Sequence, residues 1–318
     1  MINKADIRDD LKVLSIESPM DENIYSADLI LPPIAVKDET AKVPVLPTGT
    51  GMKKLDTKYA GGGSFKRSEF TMTDGTYSTS PYGYEMSIKD TDILTYDEIF
   101  DLEQTSAAVT MSQMKISREI RVADAVQSTA IFTGAANTEA VTAAWNVPAN
   151  ADPFLDIDDC AKKVKAKCGV AKSMLTAIMT EDQIKYALMS NKVLANIKYT
   201  KDIETLSNAA QAQLLTNFLH IKNIIIVQAI ADSTDETGSV AAFVDVWSSA
   251  KIQLAYMSQG SKMWTKGLGR QPRWSKFSAD FKIESYDEPQ TASRVIRARE
   301  HSGEYLNATY GCLLTGVV

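Results

Sequence analysis

The sequence predicts an α+β fold built from five consecutive parts. Three observations carry that reading. No glycine or proline interrupts the fifty residues between Gly83 and Gly134. Helix-like and strand-like patterns alternate across 152–257, and the chain ends in three segments with strand-like alternation. With 318 residues, 44% hydrophobic and 23% charged, the chain can bury one large core or two modest ones. A net charge of −6 gives the whole molecule no electrostatic attraction to nucleic acid. The opening MINKADIRDD is polar and acidic, so no signal peptide is expected. The longest apolar stretch, 224–227 with 229–230, is far short of the ~20 residues a membrane helix needs. The expectation is a soluble protein made in the cytoplasm.

The first part, 1–41, carries nine acidic and four basic residues, a local charge of −5. Pro19, Pro32 and Pro33, with Pro44 and Pro47 just beyond, forbid a long helix, so an extended arm is expected. The second part, 42–90, holds two extended runs, VPVLP at 43–47 and YGYEMSIK at 82–89, in which Tyr82, Tyr84, Met86 and Ile88 alternate. If these runs pair, the middle of the loop between them falls near Phe65, beside Gly61, Gly62 and Gly63 in KYAGGGSFKRSEF. Three glycines tolerate sharp backbone turns, and they are read as the tip of a long hairpin. Asp74-Gly75 is a rival turn signal, but it lies well off centre.

The third part, 91–151, holds the long helix. Thr95 and Glu98 read as a capping box, and Ile116, Ile120, Ala123, Val126 and Ala130 share one helical face. A helix over 104–132 would be about 43 Å long, enough to cross the subunit. A break near Thr105 and Ser106 would give two shorter helices instead. The fourth part, 152–264, opens with the Asp152 N-cap and Pro153, and its first helix stops at Gly169. A strand at 174–179, a helix begun by the Thr180–Gln183 capping box and a helix at 208–219 follow. Strands are expected at 221–228, 241–247 and 251–257, and 262–274 is expected to be a loop. The last part, 265–318, ends in strands at 277–283, 294–300 and 306–314.

Signals for catalysis are weak. His220 and His301 are the two histidines, and neither belongs to a ligand-like cluster. GGGSFKRS lacks the Gly-Lys-[Ser/Thr] ending of a phosphate loop, so no nucleotide or other cofactor is expected, and no metal site. Cys160 and Cys168, eight residues apart on one helix, lie about 12 Å apart along its axis, too far to bridge. With Cys312 they read as apolar core residues. The Asp158/Asp159 and Asp9/Asp10 pairs read as solvated, and Asn307-Ala-Thr as a chance glycosylation match. Two basic clusters remain. Lys53, Lys54, Lys58, Lys66 and Arg67, against Asp56, give +4 across 53–67. Arg270, Arg273 and Lys276 accompany Trp264 and Trp274, and are read as a solvated or interface loop in preference to a phosphate-and-stacking site. A basic loop and an acidic arm in one acidic chain suit pairing between copies.

This order of parts resembles the major capsid proteins of tailed bacteriophages, the Hong Kong 97-type capsid fold that encapsulin shells share. The resemblance implies an N-terminal arm (1–41), an extended β-hairpin loop (42–90), a peripheral domain with a spine helix (91–151), an α/β axial domain (152–264) and return strands of the peripheral domain (265–318). It further implies a structural, non-enzymatic protein whose copies assemble as pentamers and hexamers into an icosahedral head around double-stranded DNA. Lys53, Lys54, Lys58, Gly61, Gly62, Gly63, Lys66 and Arg67 would then contact a neighbouring subunit. The partners implied are further copies of the chain, a separate scaffolding protein, a portal, a decoration protein and DNA held by non-specific contacts, with no membrane. The location implied is the virion, after assembly in the host bacterial cytoplasm. Two other readings stay open. One is an encapsulin-type nanocompartment shell; the other is a cytoplasmic α/β enzyme with its site in 152–264.

Overall fold

The computed structural model describes residues 6–7, 25–45, 47–49, 52–54, 57–58, 65, 67, 72–96, 101–197, 206–234, 242–258, 260, 262–278 and 280–318. Strand β1 (Asp6–Ile7) is followed by the one-turn helix α1 (Ala27–Ile30), β2 (Pro33–Val36), β3 (Thr40–Val45), β4 (Thr73–Ser78) and β5 (Ser80–Lys89). Next come α2 (Asp90–Tyr96) and the long helix α3 (Leu102–Val126). After β6 (Thr138–Ala140) come α4 (Pro153–Cys168), β7 (Leu175–Thr180), α5 (Glu181–Met189), α6 (Asn191–Ile197), α7 (Asn208–Leu219) and β8 (Asn223–Val227). The chain then runs through β9 (Ile230–Asp232), β10 (Phe243–Asp245), β11 (Lys251–Tyr256), β12 (Gly269–Trp274), β13 (Lys282–Glu288), β14 (Ser293–Ser302), β15 (Tyr305–Leu306) and β16 (Gly311–Thr315).

Two sheets organise the molecule. In the seven-stranded sheet, β14 pairs antiparallel with β13 on one side and with β5 over ten residues on the other, and β12 joins β14, β15 and β2. The five-stranded sheet runs β6-β16-β11-β7-β8. Helices α4 to α7 cover one of its faces with a core around Ile157, Val164, Leu188 and Leu215. Helix α3 ties the sheets together. Ala107, Met111 and Met114 pack with Ile283 and Ile296 of the first sheet; Val122, Ala123 and Val126 pack with Ile178 and Leu313 of the second. No helix of the described residues is long and apolar enough to cross a membrane.

Several local signals act as read. Asp152 caps α4 by accepting from the Leu155 amide, and Gly169 ends it in the left-handed region at φ 71°. The Thr180–Gln183 capping box forms with both reciprocal bonds. Helix α3 runs unbroken through Thr105 and Ser106.

Other expectations are corrected. VPVLP does not pair with YGYEMSIK; Val43 faces Gly75 in the β3–β4 hairpin, and β5 pairs with β14 instead. Asp74-Gly75 is therefore strand, not turn. Thr95 lies in the last turn of α2, its hydroxyl donating to the Thr91 carbonyl, and Asp101 caps α3. Helix α3 stops six residues before Phe132 because tertiary bonds replace its own. The Lys251 ammonium takes the Gln127 carbonyl, and the Gln127 side chain bonds the Ser248 amide and the Ser248 and Lys251 carbonyls. Its buried face is also rotated: Ile120 and Ala130 are exposed, while Arg118 and Glu119 are buried. Residues 269–274 are a buried strand rather than loop. The strand expected at 277–283 begins at Lys282, and the one expected at 306–314 is interrupted by a 3-10 turn at Ala308–Tyr310. In the arm, Ala27, Ile30 and Leu31 belong to the core.

Candidate functional site

The β3–β4 hairpin is fixed at its base. Val36, Val43 and Tyr77 form a small satellite core, joined by Met263 and Tyr305. The Tyr77 hydroxyl donates to the Asp38 carbonyl at 3.0 Å, and the Thr79 amide and hydroxyl donate to the Glu39 carbonyl. Gly75 admits Tyr305 here: a Cβ at that position would lie 2.7 Å from its hydroxyl oxygen. Residues 46–72 connect the two strands. Within them Lys53, Lys54, Lys58 and Arg67 are exposed, as are Met52 and Phe65, the latter at 71%. The predicted tip Gly61, Gly62 and Gly63, and Lys66, lie outside the described residues.

A second surface lies along α3. Ile120, Tyr84 of β5 and Ile230 and Phe243 of the β9–β10 hairpin line an open groove of about 740 Å³. Phe243 is 72% exposed. Among the described residues strand β5 pairs with β14 alone, and its other edge, beside exposed Tyr84 and Met86, has no strand partner among them. Exposed apolar groups next to an open strand edge are what a neighbouring chain covers.

A network of charges that the sequence reading missed joins buried Arg118, Arg273 and Glu300 to the half-exposed Asp28 and Asp280. The Arg118 guanidinium donates to Glu300 at 3.1 Å, Asp28 at 3.2 Å and Asp280 at 3.2 Å, and stacks 3.8 Å from the Phe281 ring. Arg121 pairs with Glu300 and Glu304 and stacks 3.5 Å from the Tyr82 ring. Arg273 donates to Asp28 at 2.7 Å and Asp280 at 3.1 Å. Burial works to lower the Arg118 pKa; Glu300, Asp28 and Asp280 outweigh it and raise the pKa above the ordinary arginine value. Burial likewise works to raise Asp280, but Arg273 and Arg118 hold it below the usual carboxylate range. Next to this network, Glu119 accepts from the Ser26 amide and hydroxyl, the Ala27 amide and the Trp247 indole. The whole arrangement clamps α1, α3, β12 and β14 together. Its carboxylates are committed to fixed donors.

Arg270 and Arg273 are thus not the solvated or interface loop expected, nor a phosphate site. Both are buried in β12, Arg270 donating to the Gly269 and Ser258 carbonyls. In 152–264, the region of the enzyme reading, an open cleft is lined by Asp152, Phe154, Lys192, Phe218 and His220. Asp152 is engaged by Lys192 at 2.5 Å and by its capping bond, and His220 ends α7 at φ 53°. No group of three His, Cys, Asp or Glu among the described residues is placed to hold a metal ion.

No protein-family model matches the chain, and no curated protein matches it. Solved structures do. A phage-related protein from Bordetella bronchiseptica RB50 superposes with a TM-score of 0.70 at 14% identity, over 99% of this chain and 98% of its own. A virus-like particle from Pyrococcus furiosus gives 0.54 at 10% identity, over 96% and 98%. The mature capsid of bacteriophage PhiM1 gives 0.53 at 13% identity, over 89% and 84%. Likenesses of this kind show the fold, and it is the α+β fold of tailed-phage major capsid proteins.

Proposed function

We propose that this chain is the major shell protein of a tailed-phage head, a structural protein and not an enzyme. One observation carries the reading: the fold likeness to a mature phage capsid spans 89% of the chain and leaves no region spare for a separate catalytic domain. Exposed Met52 and Phe65 between β3 and β4, the β5 edge that has no strand partner among the described residues, and exposed Phe243 support it, because all three suit burial against further copies.

In this reading the β3–β4 hairpin within 42–90 supplies the extended loop, and Lys53, Lys54, Lys58, Gly61, Gly62, Gly63, Lys66 and Arg67 contact a neighbouring subunit in pentamers and hexamers. The acidic arm supplies the complementary charge. A scaffolding protein, a portal, a decoration protein and loosely held double-stranded DNA complete the particle, which assembles in a bacterial cytoplasm. The likeness to the virus-like particle favours a second reading, a shell that encloses protein cargo.

Negative-stain electron microscopy of the purified protein, fractionated by size exclusion at high concentration, tests the proposal. Closed shells or rings of five and six subunits are expected. Enclosed nucleic acid supports the phage head, and enclosed protein supports the second reading. A monomer or dimer that stays dispersed under crowding overturns both.

A further inference from the structure

The three cysteines were expected to be inert core residues, but the fold brings two of them together from 152 residues apart. The Sγ of Cys160, in α4, lies 2.9 Å from the Sγ of Cys312, in β16, and both side chains are fully buried. Cys168 stands apart, its thiol turned to the Val164 carbonyl of its own helix at 3.1 Å. We infer that Cys160 and Cys312 are an oxidation site, forming an intrachain disulfide that staples α4 to β16 when the protein meets a peroxide.

The geometry and the charges both point this way. A disulfide has an S–S length of about 2.05 Å, so the sulfurs need to close by about 0.9 Å. Both sit in regular elements of one core. Two ammonium groups flank the pair. Lys167 is held by the Gly311 carbonyl at 2.6 Å and the Ala308 carbonyl at 2.9 Å, next to Cys312 in the chain. Lys163 is held by the Thr138 carbonyl at 2.7 Å and by Glu139. Positive charge beside a thiol favours the thiolate, which is the reactive form. The Cys160 thiol donates to Cys312 and, with Lys167 and Lys163, lowers its pKa against the opposing effect of burial. The same bond and burial raise the Cys160 thiol. Cys312, whose chain neighbour Gly311 holds the Lys167 ammonium, is placed as the nucleophile, with Cys160 as the resolving thiol.

The step balances with hydrogen peroxide as oxidant. The Cys312 thiolate attacks one peroxide oxygen, the O–O bond breaks, and hydroxide leaves a sulfenic acid on Cys312. That hydroxide takes the Cys160 proton and becomes water. The Cys160 thiolate then attacks the Cys312 sulfur, the S–O bond breaks, and the second hydroxide takes up the proton Cys312 had lost. The two sulfurs lose two electrons in all, and the peroxide is reduced to two waters. A peroxide is small enough to enter this core during local opening, whereas a bulky disulfide is not. A bacterial cytoplasm would keep the pair reduced, and an oxidising exterior would close it. Its use as a staple after release rests on the shell reading; the disulfide itself does not.

The test treats the purified full-length chain with hydrogen peroxide, quenches with acid, and counts thiols and maps peptides without reduction. Three free thiols should fall to one, with a mass loss of 2 Da and a cross-linked peptide joining Cys160 to Cys312. The unfolding midpoint should rise by several degrees and return on treatment with dithiothreitol, and Cys160→Ser should abolish that rise. Three surviving thiols, oxidation that stops at sulfinic acid, or a cross-link through Cys168 would overturn the inference. These readings are taken on unassembled chains, so failure of shell assembly leaves them intact.

Discussion

Trp247 donates its indole N–H to Glu119 at 2.7 Å, across 128 residues of sequence, and both side chains are buried. The same carboxylate accepts from the Ser26 amide and hydroxyl and from the Ala27 amide, so four donors surround it. Glu119 lies where α3 passes from one sheet to the other, between Met114 and Val122. Asp156 repeats the device in α4, accepting from the Trp145 indole at 2.8 Å and from the Thr142 amide and hydroxyl. Glu119 thus holds segments far off in the sequence, and Asp156 the segment just before its own helix, each through a satisfied, buried carboxylate.

Removing that acceptor leaves four donors stranded. Glu119→Ala is expected to cost at least about 3 kcal/mol of folding stability, because each buried donor left without an acceptor costs about 1–3 kcal/mol. Trp247→Phe, which removes one donor and little volume, should cost about 1–3 kcal/mol. Urea unfolding followed by circular dichroism measures both. A Glu119→Ala variant within about 0.5 kcal/mol of wild type would show the cluster to be unimportant.

Arg118 and Glu300 are expected to be strongly coupled. Arg118→Met leaves buried Glu300 short of a cation, and Glu300→Met leaves Arg118 and Arg121 short of an anion; each should cost about 3–5 kcal/mol. The double variant removes both partners, so it should lose at least about 1 kcal/mol less than the sum. Simple additivity in the double-mutant cycle would refute the network.

Acid sensitivity should trace in part to Glu284. Burial works to raise its pKa, but hydrogen bonds from Lys282, Arg299 and Arg297 outweigh this and hold it at about 2. In the unfolded chain a glutamate titrates near 4.3, so the unfolded state binds the proton first as pH falls. The stabilisation is therefore fully present above about pH 4.3 and drains away as pH falls towards 2. Wild-type stability should fall more steeply over that window than that of Glu284→Gln, which should already be weaker at pH 7. Parallel pH profiles for the two proteins would remove Glu284 from the account.

Assembly should depend on the basic connection between β3 and β4. Lys53, Lys54 and Lys58 are exposed, so reversing all three to Glu should slow or abolish assembly while leaving the unfolding midpoint close to wild type. Wild-type assembly should weaken with salt, because the Debye length shrinks from about 10 Å at 0.1 M to about 3 Å at 1 M. Light scattering follows both. Normal assembly of the triple variant at low salt would place the contact elsewhere.

What the sequence determined by itself is local. The fifty residues without glycine or proline leave room for a long helix, and α3 takes 25 of them; Asp152, Pro153 and Gly169 delimit α4; Thr180 and Gln183 start α5. These signals act within a few residues, and the chain obeys them wherever it lies. Tertiary structure decided the rest. Alternation in YGYEMSIK fixes which side chains share a face but not which strand lies alongside, and β5 found β14 more than two hundred residues away. The face of α3 that turns inward follows from the two sheets, and it takes Arg118 and Glu119 in place of Ile120. Arg270 and Arg273 read as solvated because an arginine by itself is; Arg273 is buried because Asp28 and Asp280 meet it, and Arg270 because two carbonyls do. Cys160 and Cys312 carry no shared motif, and only the packing of α4 on β16 puts their sulfurs in contact. A charge or a thiol acquires its role from its partners, and in this chain those partners are supplied by folding.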